Sequence, residues 1–125
     1  MRKVVIIGGG FAGSTIARKL EKDFDVTLID TKDYFEFTPS VLRTIVEPQH
    51  VEKIQAQHSA YLQKTVVIRE YVTGMDDKEV ITPTRTFPYD YLVICTGSTY
   101  KAPFKDFDTV TASRAKELVN YSQKL

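Results

Sequence analysis

The sequence predicts an α/β fold, a doubly wound parallel sheet accompanied by a small antiparallel β-meander. Three observations predict it. Apolar residues 4–7 run directly into the glycine-rich residues 8–13, and residues 25–30 alternate into a second strand that ends in the acid Asp30. Another long apolar run, residues 89–98, ends in Thr-Gly-Ser. Because the carboxyl ends of parallel strands meet at one edge of a sheet, these features are expected to border one crevice.

The glycine-rich turn reads GGGFAG over residues 8–13 and fits the pattern G-x-G-x-x-G. An amphipathic helix is predicted to follow over residues 14–22, so the strand, turn and helix that the pattern requires are all present. Gly8 permits a sharp exit from the strand, Gly10 leaves room for a pyrophosphate, and Gly13 lets the helix pack closely on the sheet. The free N–H groups and the dipole at the helix N-terminus would favour the phosphate charge.

The acid that ends the second strand is the next part of this pattern. Residues 14–29 separate Asp30 from the glycine turn. A carboxylate in this position can accept hydrogen bonds from both ribose hydroxyls of an adenosine, and its charge disfavours a 2′-phosphate. The competing interpretation, a glycine-rich turn in an ordinary α/β protein, leaves the ordered series of strand, turn, helix, strand and acid unexplained.

An aromatic loop and a short helix are predicted after the second strand. Residues 34–37 contain three aromatic side chains, and Thr38, followed by proline, is typical of the N-cap of a helix over residues 40–46. Arg43 in this helix has two interpretations. Its forked guanidinium can pair with a pyrophosphate, or it is a surface arginine that pairs with Glu47.

The remaining segments are predicted to complete the two sheets. Residues 50–64 are assigned only a turn or short helix near 59–63, and residues 65–68 a third parallel strand. Residues 89–98 are predicted to form a buried strand that mirrors the first, and residues 112–125 a final helix. Three short segments flank a turn at 76–78 or follow it, and they are expected to form the meander: 70–75, 79–82 and 86–89.

Other reactive side chains are not expected to form a catalytic or metal site. His50 and His58 have no cysteine or paired acid nearby in the sequence, so no metal ligand set is predicted. Asp76 and Asp77 lie in the hairpin turn, where adjacent carboxylates point apart into solvent. Cys95 is expected to be a small buried apolar residue, since no second cysteine exists to close a dithiol cycle.

Composition narrows the class of protein further. The 125 residues carry 17 Lys and Arg against 16 Asp and Glu, so bulk charge indicates neither a nucleic-acid partner nor an anionic membrane. The apolar run near the N-terminus is too short for a secretory signal, and no segment has the length of a transmembrane helix. With a single cysteine, a reducing and therefore cytoplasmic compartment is the simplest expectation.

Five ordered motifs carry a resemblance to a known family: GGGFAG, the acid Asp30, DYFEFTPSVLR from residue 33, VTGMD from residue 72 and YDYLVICTGS from residue 89. Together they resemble the N-terminal FAD-binding half of the pyridine nucleotide-disulfide oxidoreductase superfamily. Within it, the chain is most similar to the type II NADH dehydrogenases and the apoptosis-inducing-factor-like, or ferroptosis-suppressor-like, quinone reductases. The resemblance covers about residues 3–107.

The resemblance implies a cofactor role for each matching position. The glycine turn would hold the FAD pyrophosphate, the acid the adenosine ribose, and the arginine a phosphate or the flavin. The backbone of the valine before T-G-x-D would meet the adenine edge, and the strand-end Thr-Gly would pack against the cofactor. The implied cofactor-binding residues are Gly8, Gly9, Gly10, Phe11, Ala12, Gly13, Asp30, Arg43, Val72, Thr96 and Gly97.

Three departures from the family pattern shape the functional expectation. The strand-end A-T-G of the family is Cys95-Thr96-Gly97 here, and the C-x4-C redox pair after the glycine helix is missing, which favours a reductase that uses the flavin alone. A second G-x-G-x-x-G domain for NAD(P)H is also missing. Residues 1–125 are therefore expected to be the incomplete FAD-binding segment of an NAD(P)H oxidoreductase that reduces a quinone or similar acceptor, and to be inactive alone. The alternatives are a stand-alone adenine-nucleotide-binding module and the NAD-binding domain of a dehydrogenase.

Overall fold

Four parallel strands form the central sheet of the computed structural model, which describes residues 1–98, 114–116 and 118–120. Numbered along the chain, they are β1 (Lys3–Ile7), β2 (Asp25–Asp30), β5 (Val66–Arg69) and β9 (Tyr91–Ile94). Their order across the sheet is β5-β2-β1-β9, so the first strand is central. In the register, Ile7 lies opposite Ile29 of β2 and Ile94 of β9, which brings three strand ends to one edge. The predicted parallel α/β fold is confirmed.

Alternate residues of β1 divide the core between the two faces of the sheet. Val4 and Ile6 pack with Ala17 of helix α1 (Phe11–Leu20) on one face. Val5 and Ile7 pack on the other face in a cluster that includes Val80 of the meander. Both faces of the strand are therefore buried, as the uninterrupted apolar run of residues 4–7 predicts.

The buried carboxylate of Glu21 fastens the C-terminal end of α1 to the segment that leads into β5. Its Oε1 accepts hydrogen bonds from the backbone N–H groups of Gln63, at 2.6 Å, and Lys64, at 2.9 Å. Burial raises the pKa of Glu21 and is the largest single influence. The two amide hydrogen bonds and the Thr65 hydroxyl nevertheless outweigh it, so the pKa lies below its ordinary value.

A two-stranded antiparallel sheet occupies the region between β2 and β5, where the sequence analysis predicted no strand. Strand β3 (Tyr34–Glu36) pairs with β4 (Gln55–Gln57). At the end of β3 the buried Glu36 accepts hydrogen bonds from Gln55, at 2.9 Å, and from Arg114, at 2.9 and 3.1 Å. These contacts join residues far apart in the sequence, and local patterns give no sign of them.

Short helical turns connect β3 to β4 and lead on from β4. The predicted helix over residues 40–46 is instead a 3-10 turn at Thr38–Ser40 followed by α2 (Arg43–Val46). Thr38 is the first residue of the turn and not an N-cap. Phe37 precedes the turn and Leu42 precedes α2, and neither provides a side-chain cap. A second 3-10 turn starts at a proline, and two further short helices follow. These elements are Pro48–His50, α3 (Val51–Ile54) and α4 (His58–Tyr61).

The predicted meander is confirmed, with shorter strands than the alternation of residues indicated. It consists of β6 (Gly74–Met75), β7 (Glu79–Ile81) and β8 (Thr86–Pro88) in that order, all antiparallel. Asp76 organises the hairpin by accepting hydrogen bonds from the N–H groups of Lys78 and Glu79, both at 2.8 Å, which lower the pKa of this exposed carboxyl. Asp76 and Asp77 are exposed turn residues, as expected.

Two expectations about the last parallel strand are wrong. Strand β9 is not fully buried, because β1 is its only partner among the described residues, and Tyr91 and Ile94 are 47% and 57% exposed. Cys95 is accordingly only half-buried. Of the predicted final helix, residues 114–116 and 118–120 are helical and Leu118 is fully buried with Val41 and Ile54, while the rest of that prediction lies outside the described residues.

Candidate nucleotide-binding site

The glycine turn leaves β1 at the carboxyl edge of the sheet. Gly8 has a φ of +100°, and its N–H donates to the Ile29 carbonyl of β2 over 2.8 Å. A Cβ built on Gly8 would lie 2.2 Å from the Cys95 carbonyl oxygen. Both the backbone conformation and the space between β2 and β9 therefore require glycine at this position.

The N-terminus of α1 approaches the same turn at close range. A Cβ on Gly13 would lie 1.7 Å from the Gly8 carbonyl oxygen, so only glycine permits this packing of helix on turn. Gly10, the N-cap, has no heavy atom within 4 Å of a built Cβ, and the helix has no side-chain cap. The first turn of α1 thus presents backbone N–H groups beside open space, the arrangement that a phosphate group requires.

Asp30 lies directly against the glycine turn. A Cβ on Gly9 would come within 2.5 Å of Asp30 Oδ2. The carboxylate is 7% exposed, and it ends β2 at the edge from which the turn emerges. The structure thus brings together the two features that the sequence analysis combined into one adenosine-diphosphate site.

A buried histidine, which the sequence analysis did not place in the site, covers this carboxylate. His58 is fully buried, and its Nε2 lies 2.7 Å from Asp30 Oδ2. Its Nδ1 lies 2.6 Å from the Tyr61 hydroxyl. Burial raises the pKa of Tyr61 to about 12, against a smaller lowering by a hydrogen bond with the Ser14 side chain, so its hydroxyl keeps its proton at neutral pH.

An aromatic cluster borders the helix N-terminus. The Phe11 ring makes edge contacts with Phe35 and Phe37, at centroid distances of 5.3 and 5.4 Å. Phe11 and Phe37 are 49% and 42% exposed. The aromatic loop after β2 therefore folds back over Phe11 at the beginning of α1, and Ala12, the next residue of the helix, is exposed.

Arg43 makes the alternative contact considered from the sequence. Its Nε lies 3.1 Å from Glu47 Oε2, one helical turn along, and both side chains are substantially exposed. A phosphate or flavin contact for Arg43 stays a prediction.

The other expected cofactor residues lie on separate segments. Val72 packs against the core on the meander face of the sheet, between β5 and β6. Thr96 and Gly97 follow β9 and are exposed, and Gly97 has a φ of +71°. Their proposed contacts with a cofactor also stay predictions.

Neither a metal site nor a membrane-spanning helix is found among the described residues. Among them, no cluster of three or more His, Cys, Asp or Glu residues could hold a metal ion. Nor does that part of the chain contain a helix with the length and apolar character needed to cross a membrane.

A family model for pyridine nucleotide-disulphide oxidoreductases matches residues 2–123, nearly the whole chain. The chain belongs to this family. The apoptosis-inducing factor homolog B of Dictyostelium discoideum is 33% identical in an alignment of 129 positions, which covers 98% of this chain and 31% of that protein. Human ferroptosis suppressor protein 1 is 32% identical over 116 residues, covering 90% of this chain and 31% of that protein.

Solved structures of other proteins have the same fold. The sulfide:quinone oxidoreductase from Aquifex aeolicus superposes with a TM-score of 0.73 at 26% identity, covering 99% of this chain and 31% of that one. NDH2 from Plasmodium falciparum, in complex with NADH, gives 0.68 at 26% identity, with 80% and 23% coverage. The chain therefore spans about a third of the length of the curated relatives it matches.

Proposed function

We propose that residues 1–125 are the FAD-binding segment of a flavin-dependent NAD(P)H oxidoreductase. The observation that carries the proposal is the contact between the glycine turn and Asp30, at the carboxyl edge of a parallel sheet. A helix N-terminus with open space in front of it and a neighbouring strand-end carboxylate suit the two ends of an adenosine diphosphate group. The membership of the family supports the same assignment.

Within this proposal, the turn and Asp30 bind and orient the cofactor. The N–H groups at the start of α1 hold the pyrophosphate, while the Asp30 carboxylate accepts a ribose hydroxyl. Arg43 would exchange Glu47 for a phosphate or the flavin, and the backbone of Val72 would contact the adenine. Thr96 and Gly97 would pack against the cofactor. When bound, FAD would supply the redox chemistry, since a flavin can accept a hydride from NAD(P)H and pass electrons to an acceptor.

We propose a quinone or a similar small molecule as the acceptor and a cytoplasmic location. A sulfide:quinone oxidoreductase and an NDH2 in complex with NADH are among the similar structures, which supports the quinone and the nicotinamide. The NAD(P)H site would lie outside residues 1–125, and these residues alone would be inactive. The single cysteine supports a reducing compartment.

The test is flavin content and acceptor reduction in the full-length protein. The purified protein should show flavin absorbance at one FAD per polypeptide and should reduce a quinone with NADH or NADPH. Asp30→Asn should weaken FAD binding about tenfold or more, because a ribose hydroxyl loses a charged acceptor. Asp77→Asn, at an exposed turn of the meander, is the matched control and should bind FAD as the wild type does.

Three results would contradict this assignment. A protein without flavin that binds NAD through the same turn would be a nicotinamide-dependent dehydrogenase. Binding of ADP and FAD without any electron transfer would leave an adenine-nucleotide-binding module. Equal effects of Asp30→Asn and Asp77→Asn on FAD affinity would remove Asp30 from the site.

A further inference from the structure

We propose that His58 is a positioning residue, which holds the Asp30 carboxylate in the orientation that recognises a ribose hydroxyl. The inference rests on the proposed function, since it concerns the same nucleotide site. Nothing in the glycine motif or in the spacing of the acid specifies this histidine.

The contacts around His58 determine which of its nitrogens carries a proton toward Asp30. A carboxylate can only accept, so the hydrogen bond of 2.7 Å between His58 Nε2 and Asp30 Oδ2 is donated by the imidazole. The Tyr61 hydroxyl lies 2.6 Å from Nδ1, at the other nitrogen of the ring. The two contacts hold the ring with Nε2 toward Asp30 and Nδ1 toward Tyr61.

The residues packed around the His58 imidazole restrict its rotation and displacement. His58 is fully buried, and a Cβ on Gly9 would lie 2.5 Å from both Cε1 and Nε2 of the ring. The His58 backbone N–H also donates to the Asp33 carbonyl over 2.9 Å, which ties α4 to the loop after β2. The ring is therefore held between the glycine turn and the strand-end acid.

This arrangement assigns different roles to the two oxygens of Asp30. Oδ2 is taken by His58, and a ribose hydroxyl would be received by Oδ1. A carboxylate without a fixed partner must lose rotational freedom when it binds a hydroxyl, whereas this one is already oriented. His58 would thus increase the discrimination between ribose and deoxyribose without touching the ligand.

The decisive measurement is the ratio of affinities for ADP and 2′,3′-dideoxy-ADP, determined by calorimetry on the full-length protein after removal of its flavin. His58→Phe keeps a ring of similar size but removes the donor, and it should lower the preference for ADP by about tenfold. His58→Gln can place an N–H donor near the position of Nε2 and should restore most of the preference. Tyr61→Phe should have a smaller effect in the same direction as His58→Phe.

Matched controls separate this role from a purely structural one. His50→Phe makes the same exchange at the other histidine of the chain and should leave the ratio unchanged. In an Asp30→Asn background, His58→Phe should have no further effect on the ratio, because the carboxylate that it orients is gone.

The outcomes are distinguishable. A wild type that prefers ADP, with the same preference in His58→Phe, would overturn the role of His58 and leave the proposed function intact. An equal loss in His58→Phe and His58→Gln would also overturn it, since the donor would then be irrelevant. A wild type that binds neither FAD nor ADP would overturn the proposed function and this inference together.

Discussion

Two glycines of the same turn are predicted to respond to alanine in opposite ways. A Cβ on Gly13 would lie 1.7 Å from the Gly8 carbonyl oxygen, more than 1 Å closer than real Cβ contacts allow. A Cβ on Gly10 would meet no atom within 4 Å. Gly13→Ala therefore perturbs the fold, whereas Gly10→Ala perturbs only what occupies the space in front of the helix.

The expected magnitudes follow from these distances. In Gly13→Ala the new methyl group clashes with backbone atoms, and no side-chain rotation can relieve the clash, so α1 must move away from the turn. This variant should lower the free energy of unfolding by about 3 kcal/mol. Gly10→Ala places alanine at an N-cap, a cost that the reduced entropy of the unfolded chain partly offsets, so stability should change by less than about 1 kcal/mol. The same methyl group would obstruct a pyrophosphate and should weaken FAD binding by about tenfold or more.

Urea unfolding followed by circular dichroism measures the first effect, and calorimetric FAD titration of the folded variants measures the second. Because the chain contains no tryptophan, the helical dichroism signal is a better probe than tryptophan fluorescence. Wild-type FAD affinity in Gly10→Ala would refute the position assigned to the phosphates. Wild-type stability in Gly13→Ala would refute the close packing of α1 on the turn.

Three further predictions concern stability and are measured by urea denaturation. Glu21→Gln should cost about 1–2 kcal/mol at neutral pH. Because the folded-state pKa of Glu21 is lowered, this difference should shrink as the pH falls below its ordinary value of 4.5; a pH-independent difference would contradict the role of its charge. Arg114→Met should lower the free energy of unfolding by about 3–5 kcal/mol, because the Glu36 carboxylate then stays buried without its guanidinium partner. The double variant Glu36→Met/Arg114→Met should recover much of that loss. An equal loss in both variants would contradict the penalty assigned to the unpaired carboxylate. Gly97→Ala, with a φ of +71° and open surroundings, should cost about 1 kcal/mol from backbone strain alone, and no change in stability would argue against that conformation.

Local patterns were sufficient to locate β1, β2, β5 and α1. Strand β2 has the predicted bounds, and β1 and β5 differ from the prediction by one residue at one or both ends. Helix α1 begins at Phe11, three residues before the predicted start, because Gly10 already serves as its N-cap. In these segments the burial of one or both faces imposes a periodicity that the sequence displays directly.

Local sequence patterns do not predict the structure between β2 and β5. Strands β3 and β4 are three residues long, and their pairing is held by Glu36 with Gln55 and Arg114. Segments this short carry no readable period, and contacts across 78 positions of sequence leave no local signature. The exposure of β9 likewise depends on which elements lie beside it and not on its apolar composition.

In the candidate site, too, some features follow from local sequence and others from tertiary packing. The sequence by itself determined the fold class, the glycine turn and the acid at the end of β2, because the positive φ of Gly8, the close approach of Gly13 to Gly8 and the alternation of β2 are properties of local chain geometry. Only the tertiary structure decided that His58 lies against Asp30. The contact of Arg43 with Glu47, one helical turn along, is local, and the sequence already offered it as one of two interpretations. A side-chain hydrogen bond between residues 28 positions apart depends on how two elements pack, which no short-range pattern encodes.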